Sequence, residues 1–202
     1  MQQYCANCDG TVVNKSHTGK EYLYCGSCKC WWSEKSLILA TSYKRPHSQY
    51  NAISLTYEPN KTQHADLLLR LGTWATRCDT YYYELDHSAG TEPNTVASIR
   101  ALLKQWHKDV QNLKSEGQIY LPYDFSDQHS GWLQVKFYNS DKIGVSDGYC
   151  SLEGYAFYPS AYKECIDRIT DYEVYEGCEE KILTSKKIVD DIETSIDDLY
   201  KL

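Results

Sequence analysis

The sequence predicts an α+β protein in which a cysteine-rich N-terminal module is joined to a small antiparallel sheet packed with about four helices. Three observations support this prediction. Two CxxC motifs lie near the N-terminus, β-branched and aromatic runs alternate with turn residues, and two long stretches repeat apolar residues at helical spacing. The chain has 202 residues, 42% hydrophobic and 24% charged, which is a globular composition. We expect two domains, residues 1–45 and residues 46–202.

The N-terminal module contains the pattern C-x2-C-x16-C-x2-C, formed by Cys5, Cys8, Cys25 and Cys28. A tetrahedral Zn²⁺ ion binds four thiolates, and each CxxC turn presents two of them. In a reducing compartment such paired motifs favour a metal site over disulfides, and an odd total of nine cysteines agrees with this. The pattern therefore predicts a structural zinc ion, whose four thiolates leave no open position for catalysis.

This cysteine arrangement resembles the zinc-ribbon family over residues 4–32. The resemblance implies that the four cysteines are the metal ligands and that the module stabilises the fold, often while contacting nucleic acid or protein. Cys30 departs from the pattern. It could replace Cys28 as a ligand, although C-x4-C matches the family less well than C-x2-C does.

Strands are predicted at residues 36–43 and 50–57, which are rich in β-branched and aromatic residues and are separated by a loop around Pro46. Residues 62–78 are predicted to form a helix, because leucine and alanine recur there at helical spacing after Asn60.

The clearest predicted helix begins at Asn94 or Thr95 and ends near Gly117. Its apolar face consists of Val96, Ile99, Leu102, Leu103, Trp106, Val110 and Leu113. Residues 118–125 and 131–138 then read as strands of an antiparallel sheet that continues in short segments to Pro159.

Two further helices are predicted at the end of the chain. Ser160 is a plausible cap for a short helix that runs to Ile169. Residues 179–200 are predicted to form a longer helix, whose apolar stripe consists of Ile182, Val189, Ile192, Ile196 and Leu199.

Charge is distributed unevenly along the chain. Residues 1–45 carry a net charge of +3, residues 46–120 carry −1, and residues 121–202 carry −9. Because phosphate backbones attract basic surfaces, most of this protein is poorly suited to bind nucleic acid directly. An acidic surface instead favours a basic protein surface, such as the groove of a host complex that itself binds nucleic acid.

The predicted partner-binding residues lie in two places. The final helix supplies an acidic set: Asp190, Asp191, Glu193, Asp197 and Asp198. The second place is the aromatic run Tyr81, Tyr82 and Tyr83, chosen because the chain has 19 tyrosines and tyrosine is enriched at protein interfaces.

Other functions are compatible with the same sequence. Lysines of the N-terminal module, with Trp31 and Trp32, could contact nucleic acid in a regulator of transcription. Asp124, Asp127 and His129 could bind a divalent ion in a metal-dependent nuclease, although they lie in a predicted turn, where such residues are common. An immunity protein that neutralises a basic toxin would have the same acidic character.

In size and acidity the whole chain is similar to the inhibitors that phages and mobile elements use against host defence, such as anti-CRISPR and anti-restriction proteins. That similarity implies a non-enzymatic inhibitor that docks on a nucleic-acid-guided or DNA-cleaving complex. The N-terminus lacks the pattern of a secretory signal, and no run of about 18 apolar residues occurs. We therefore expect a cytoplasmic protein without a membrane partner.

Overall fold

The computed structural model describes most of the chain after residue 50 and three strands before it. The described residues are 12–17, 20–25, 31–32, 51–84, 86, 94–113, 117–139 and 142–202. The chain divides into two compact units, of which the first comprises Met1–Asn51 and Gly72–Ala75 and the second comprises Ala52–Leu71 and Thr76–Leu202.

The first unit contains an antiparallel sheet in the order β1-β2-β3. The three strands are β1 (Val12–His17), β2 (Lys20–Cys25) and β3 (Trp31–Trp32). Strands β2 and β3 lie on either side of the second CxxC motif in the sequence. The predicted strand at residues 36–43 lies outside the described residues.

A second sheet has the strand order β4-β5-β6, with β4 (Ile53–Tyr57), β5 (Leu67–Leu71) and β6 (Trp74–Cys78). The helix predicted at residues 62–78 is therefore wrong. All four leucines of β5 are buried, so this strand is apolar on both faces and lacks the alternation that identifies a half-buried strand. Gly72, at φ 60°, lies in the short connection to β6.

The loop before β5 also prevents a helix. The side-chain oxygen of Asn60 accepts hydrogen bonds from the backbone N–H groups of Thr62 and Gln63, each at 2.9 Å, which closes a turn. Gln63 and Ala65 have positive φ angles of 58° and 51°. Non-glycine residues in this left-handed region interrupt a right-handed helix, so Asn60 caps a turn instead.

The largest sheet is antiparallel, has the order β10-β9-β8-β7, and includes β11 paired with β9. Its strands are β7 (Gln118–Phe125), β8 (Ser130–Asn139), β9 (Lys142–Cys150), β10 (Glu173–Val174) and β11 (Lys181–Leu183). The strands predicted at residues 118–125 and 131–138 are confirmed. The two shortest strands, β10 and β11, follow one another along the same side of β9.

The clearest predicted helix is confirmed and forms α2 (Thr95–Gln111). Asn94 caps it by accepting a 2.9 Å hydrogen bond from the N–H of Ala97. The predicted apolar face is buried through Ile99, Leu102, Leu103, Trp106 and Val110. The helix ends before the predicted Gly117, because the backbone N–H of Asn112 already closes the last turn.

The last helix, α3 (Ser185–Leu199), is shorter than predicted because residues 181–183 form β11. Its buried face is Ile188, Asp191, Ile192, Ser195 and Leu199. Asp191 Oδ2 accepts hydrogen bonds from the N–H groups of Ala52 (2.7 Å) and Ile53 (3.1 Å). The helix therefore covers the edge of β4 with polar side chains, a common way to protect an edge strand.

Three short helical segments complete the described chain: α1 (Tyr81–Glu84) and 3-10 helices at Gly154–Ala156 and Pro159–Arg168. The helix predicted from Ser160 is thus a 3-10 helix. Ser160 donates to Asp86 Oδ1 through its hydroxyl and to Asp86 Oδ2 through its N–H, at 2.9 and 2.8 Å. Among the described helices, none combines the length and the apolar character needed to cross a bilayer.

Candidate protein-interaction surface

A strongly acidic segment runs along the outer side of β9, from Asp171 to Glu180. It carries five carboxylates and no lysine or arginine: Asp171, Glu173, Glu176, Glu179 and Glu180. All five residues are exposed. We call this segment the acidic edge.

Two glycines of β9 make room for the acidic edge. A Cβ at Gly148 would lie 2.2 Å from the backbone oxygen of Glu173, so a side chain there would push β10 away. A Cβ at Gly144 would lie 2.6 Å from both Glu180 Oε1 and the ring of Tyr138. The residues between β10 and β11 are anchored to β9 by a backbone hydrogen bond. In it, the N–H of Tyr175 donates to the main-chain oxygen of Asp147 at 3.1 Å.

Tyrosine hydroxyls hold two of these carboxylates. Tyr149 donates to Glu173 Oε2 at 2.8 Å, and Tyr138 donates to both oxygens of Glu180 at 2.9 Å. Each hydrogen bond raises the pKa of its phenol, because the carboxylate favours the protonated tyrosine. The phenols therefore orient the side chains of these two glutamates.

Within the described residues, a single ion pair involves the acidic edge. Lys181 Nζ lies 3.5 Å from Glu179 Oε2. Among the residues that the structure describes, most of the negative charge of the segment therefore faces solvent without a matching cation.

The predicted acidic residues of α3 have a different environment. Asp190 pairs with Lys186 at 2.9 Å, Asp198 with Lys201 at 2.7 Å, and Glu193 with His107 at 2.8 Å. Asp197 is exposed. Much of the charge on this helix is thus balanced locally.

Asp191 is the exception in this set because it is buried. Its side chain is 2% exposed, and Oδ1 pairs with Lys187 at 2.6 Å. Together with its hydrogen bonds to β4, this places Asp191 inside the protein. Its predicted contact with a partner is therefore a poor fit to its position.

The three tyrosines of α1 likewise differ in their exposure to solvent. Tyr81 is 49% exposed and meets Tyr82 edge to face at 5.2 Å. Tyr83 is buried, donates to the backbone oxygen of Tyr123 at 2.7 Å and packs on Phe125. Tyr83 therefore belongs to the core, and a surface contact is open to Tyr81 and, in part, to Tyr82.

Of the residues considered for a nuclease, Asp127 and His129 lie in the turn between β7 and β8, as predicted, whereas Asp124 lies in β7. His129 Nε2 is 3.8 Å from Asp124 Oδ2, whereas Asp127 is exposed. Burial, followed by the nearby carboxylates of Asp79 and Asp147, raises the pKa of Asp124 to about 7. The part of the chain that the structure describes brings together no group of three or more His, Cys, Asp or Glu side chains able to hold a metal ion.

Three of the predicted zinc ligands, Cys5, Cys8 and Cys28, lie outside the described residues, as does Cys30. Cys25 ends β2, and its backbone is paired with Val12 at the start of β1. The cysteines at Cys78, Cys150, Cys165 and Cys178 are buried free thiols, as expected for core residues.

No family model matches this chain, and no curated protein or solved structure gives a match. The function is therefore inferred from the surface of this protein. The acidic edge was missed by the sequence analysis although its signal is visible: five acidic residues and no basic one between residues 171 and 180. The sequence instead favours the acidic residues of the regular helical pattern that follows this segment.

Proposed function

We propose that this protein acts without catalysis, by binding the basic surface of a protein partner through the acidic edge. The observation that carries the proposal is the exposure of five carboxylates in ten residues, with little local compensation by cations. Electrostatic complementarity of this kind steers association and selects partners of opposite charge.

The partner class that we propose is a nucleic-acid-guided or DNA-cleaving defence complex of a host. Such complexes carry basic channels that attract phosphates, and a row of carboxylates can compete for the same lysines and arginines. In this proposal the protein is a stoichiometric, anti-CRISPR-like inhibitor that occludes the channel. An immunity protein against a basic toxin would use the same physics with another partner.

A structural zinc ion in the N-terminal module is part of the proposal. The β1–β2 register supports it, because Val12 and Cys25 face each other at one end of the hairpin. Cys8 precedes Val12 by four residues, a distance of at most ~14 Å in extended chain. This register supports the proposal that both CxxC pairs supply ligands to one ion.

The zinc assignment is tested by metal content and thermal unfolding. Cys5→Ser or Cys25→Ser should lower the zinc content and destabilise the module, since metal binding contributes folding free energy there. Cys30→Ser should do much less and serves as the control. Full zinc content with an unchanged melting curve in Cys5→Ser would refute the assignment, and complete loss of zinc in Cys30→Ser would identify a different ligand.

Partner binding is tested by affinity capture. The tagged, zinc-replete protein is incubated with nuclease-treated host lysate at low and moderate salt, and captured proteins are identified by mass spectrometry. We expect a nucleic-acid-binding complex whose capture weakens as salt screens the charges. Recovery of nucleic acid alone from untreated lysate would favour direct binding by the N-terminal module instead.

Two variants with the same change in net charge sharpen the capture experiment. The first replaces Glu173, Glu176, Glu179 and Glu180 by glutamine. The second replaces Asp190 and Asp197 by asparagine and Glu193 by glutamine, together with Asp198→Asn. We expect the first variant to lose the partner and the second to retain it. Equal loss of partner capture in both variants would mean that only the net charge matters. It would refute the acidic edge as the contact.

A further inference from the structure

A small cleft is lined by residues of the two 3-10 helices and of the segment between them. None of these residues belongs to the acidic edge. Its volume is about 270 Å³, and its lining includes Tyr155, Phe157, Tyr158, Glu164 and Cys165. Pockets that enclose drug-sized molecules span ~300–1,000 Å³, so this cleft has the size for one side chain rather than a larger ligand.

The cleft has an aromatic rim and a rigid apolar floor. Tyr155 and Tyr158 are 59% and 53% exposed, so both aromatic rings are accessible to solvent. Phe157 is only 7% exposed and stacks on the buried Trp132, with ring centres 5.4 Å apart. The position of the Phe157 ring is therefore fixed by its packing on the core, while the exposed tyrosine rings of the rim can contact a ligand.

Acidic groups surround this aromatic rim. Glu164 lines the cleft and is exposed, and Glu153 accepts a hydrogen bond from the hydroxyl of Tyr155. Asp127 of the β7–β8 turn is also close enough to interact with the Tyr155 phenol. A cation also lies close to the cleft, because Arg168 Nη1 is 3.9 Å from Sγ of the lining residue Cys165.

We propose that this cleft binds an arginine side chain of the protein partner. The inference rests on the proposed function, since it supplies the specific contact for the basic surface that the acidic edge attracts. A guanidinium group stacks on tyrosine rings through cation–π attraction and donates to carboxylates in the same plane. The tyrosine rim and Glu164 offer both kinds of contact.

A direct titration tests the cleft without knowledge of the partner. The full-length, zinc-replete protein is labelled with ¹⁵N and titrated with N-acetyl-arginine amide, with the uncharged N-acetyl-citrulline amide as the matched probe. We expect saturable shifts of backbone amides in residues 153–165 in the millimolar range with the arginine probe, and none that saturate with citrulline.

Variants assign the binding to the two kinds of contact. Glu164→Gln and Tyr158→Ala should each weaken binding of the arginine probe by about 5-fold, whereas Tyr158→Phe keeps the ring and should bind as the native protein does. Glu58→Gln and Tyr200→Ala change an exposed acidic and an exposed aromatic residue elsewhere and should have no effect. Equal responses to arginine and citrulline, an absence of saturable shifts, or unchanged binding in Glu164→Gln would overturn the inference.

The titration and the affinity capture fail independently. Absence of arginine binding, together with capture of a basic partner that depends on the acidic edge, would reject the cleft and leave the proposed function standing. Normal arginine binding with no captured partner would support the cleft as a cation site and reject the proposed function.

Discussion

The acidic edge and helix α3 are equally rich in carboxylates but differ in what surrounds them. Each has five acidic residues within a short span, at 171–180 and 190–198. On the helix, Lys186 and Lys187 lie four positions before Asp190 and Asp191 and pair with them. On the acidic edge, tyrosines of the neighbouring strands hold Glu173 and Glu180.

This difference teaches that acidic content alone does not define an acidic surface. A helix brings residues at spacing i and i+4 together, so nearby lysines in the sequence neutralise its carboxylates. An extended segment meets residues from other strands, which here are uncharged phenols. The acidic edge thus keeps a negative field that α3 largely loses, and the following predictions test that distinction.

The largest effect is expected for Asp191, the buried carboxylate of α3. Asp191→Ala leaves the backbone N–H groups of Ala52 and Ile53 and the ammonium of Lys187 without this acceptor. We expect a loss of about 3 kcal/mol in the free energy of unfolding, measured by urea denaturation. Asp191→Asn keeps one oxygen acceptor and should lose less. Equal losses in the two variants would argue against the hydrogen bonds to β4 as the cause.

Asp124, a largely buried carboxylate beside other carboxylates, should make the stability of the protein depend on pH. The pKa of Asp124 is raised to about 7 by burial and by Asp79 and Asp147. Because the folded pKa lies above that of the unfolded chain, the folded state favours the protonated acid. Its stabilising contribution is complete below pH ~4 and is lost as pH rises through about 7, which lowers the free energy of unfolding by roughly 2–3 kcal/mol.

Asp124→Asn tests this dependence. The variant should gain stability over the native protein at pH 8 and differ little from it near pH 4, as measured by urea denaturation at both values. Asp190→Asn, at an exposed site, provides the control. A difference between Asp124→Asn and the native protein that is the same at both pH values would contradict the titration of this group.

A smaller effect is expected when the tyrosine partners of the acidic edge are removed. Tyr138→Phe and Tyr149→Phe keep every charge but release the side chains of Glu180 and Glu173. We expect each to weaken binding of the captured partner by about 3-fold, measured with immobilised protein. Tyr81→Phe is the matched control. Unchanged affinity in both variants would mean that charge matters at this segment and orientation does not.

The smallest effect is expected for Asp190, the exposed partner of Lys186. Asp190→Asn should change the free energy of unfolding by less than about 0.5 kcal/mol, because exposed ion pairs at this spacing contribute little. Its binding to the captured partner should also be unchanged. A loss of binding as large as that of the variant with Glu173, Glu176, Glu179 and Glu180 replaced by glutamine would remove the distinction between the two regions.

The sequence analysis succeeded where one local pattern decides the structure. Helix α2 was predicted because its apolar stripe is long and Asn94 caps its start. Residues 67–71 were misassigned because a strand buried on both faces has the same unbroken leucine run as a buried helix.

Positions decided by distant parts of the chain were the hardest to predict. Asp191 has the sequence context of a solvated acidic residue, and its burial depends on β4, 138 residues earlier in the chain. The tyrosine partners of the acidic edge likewise come from strands that precede it by 24 and 42 residues. No local pattern contains that information, so these contacts became visible only in the folded protein.

The cover that α3 places over β4 has a consequence for the synthesis of this protein. The hydrogen bonds between them join residues 138 to 140 positions apart. At a translation rate of about 5–20 residues per second, β4 leaves the ribosome roughly 7 to 28 s before its acceptors do. During that interval its open edge can pair with another nascent chain. The risk of aggregation therefore ends only when the helix at Ser185–Leu199 emerges and docks.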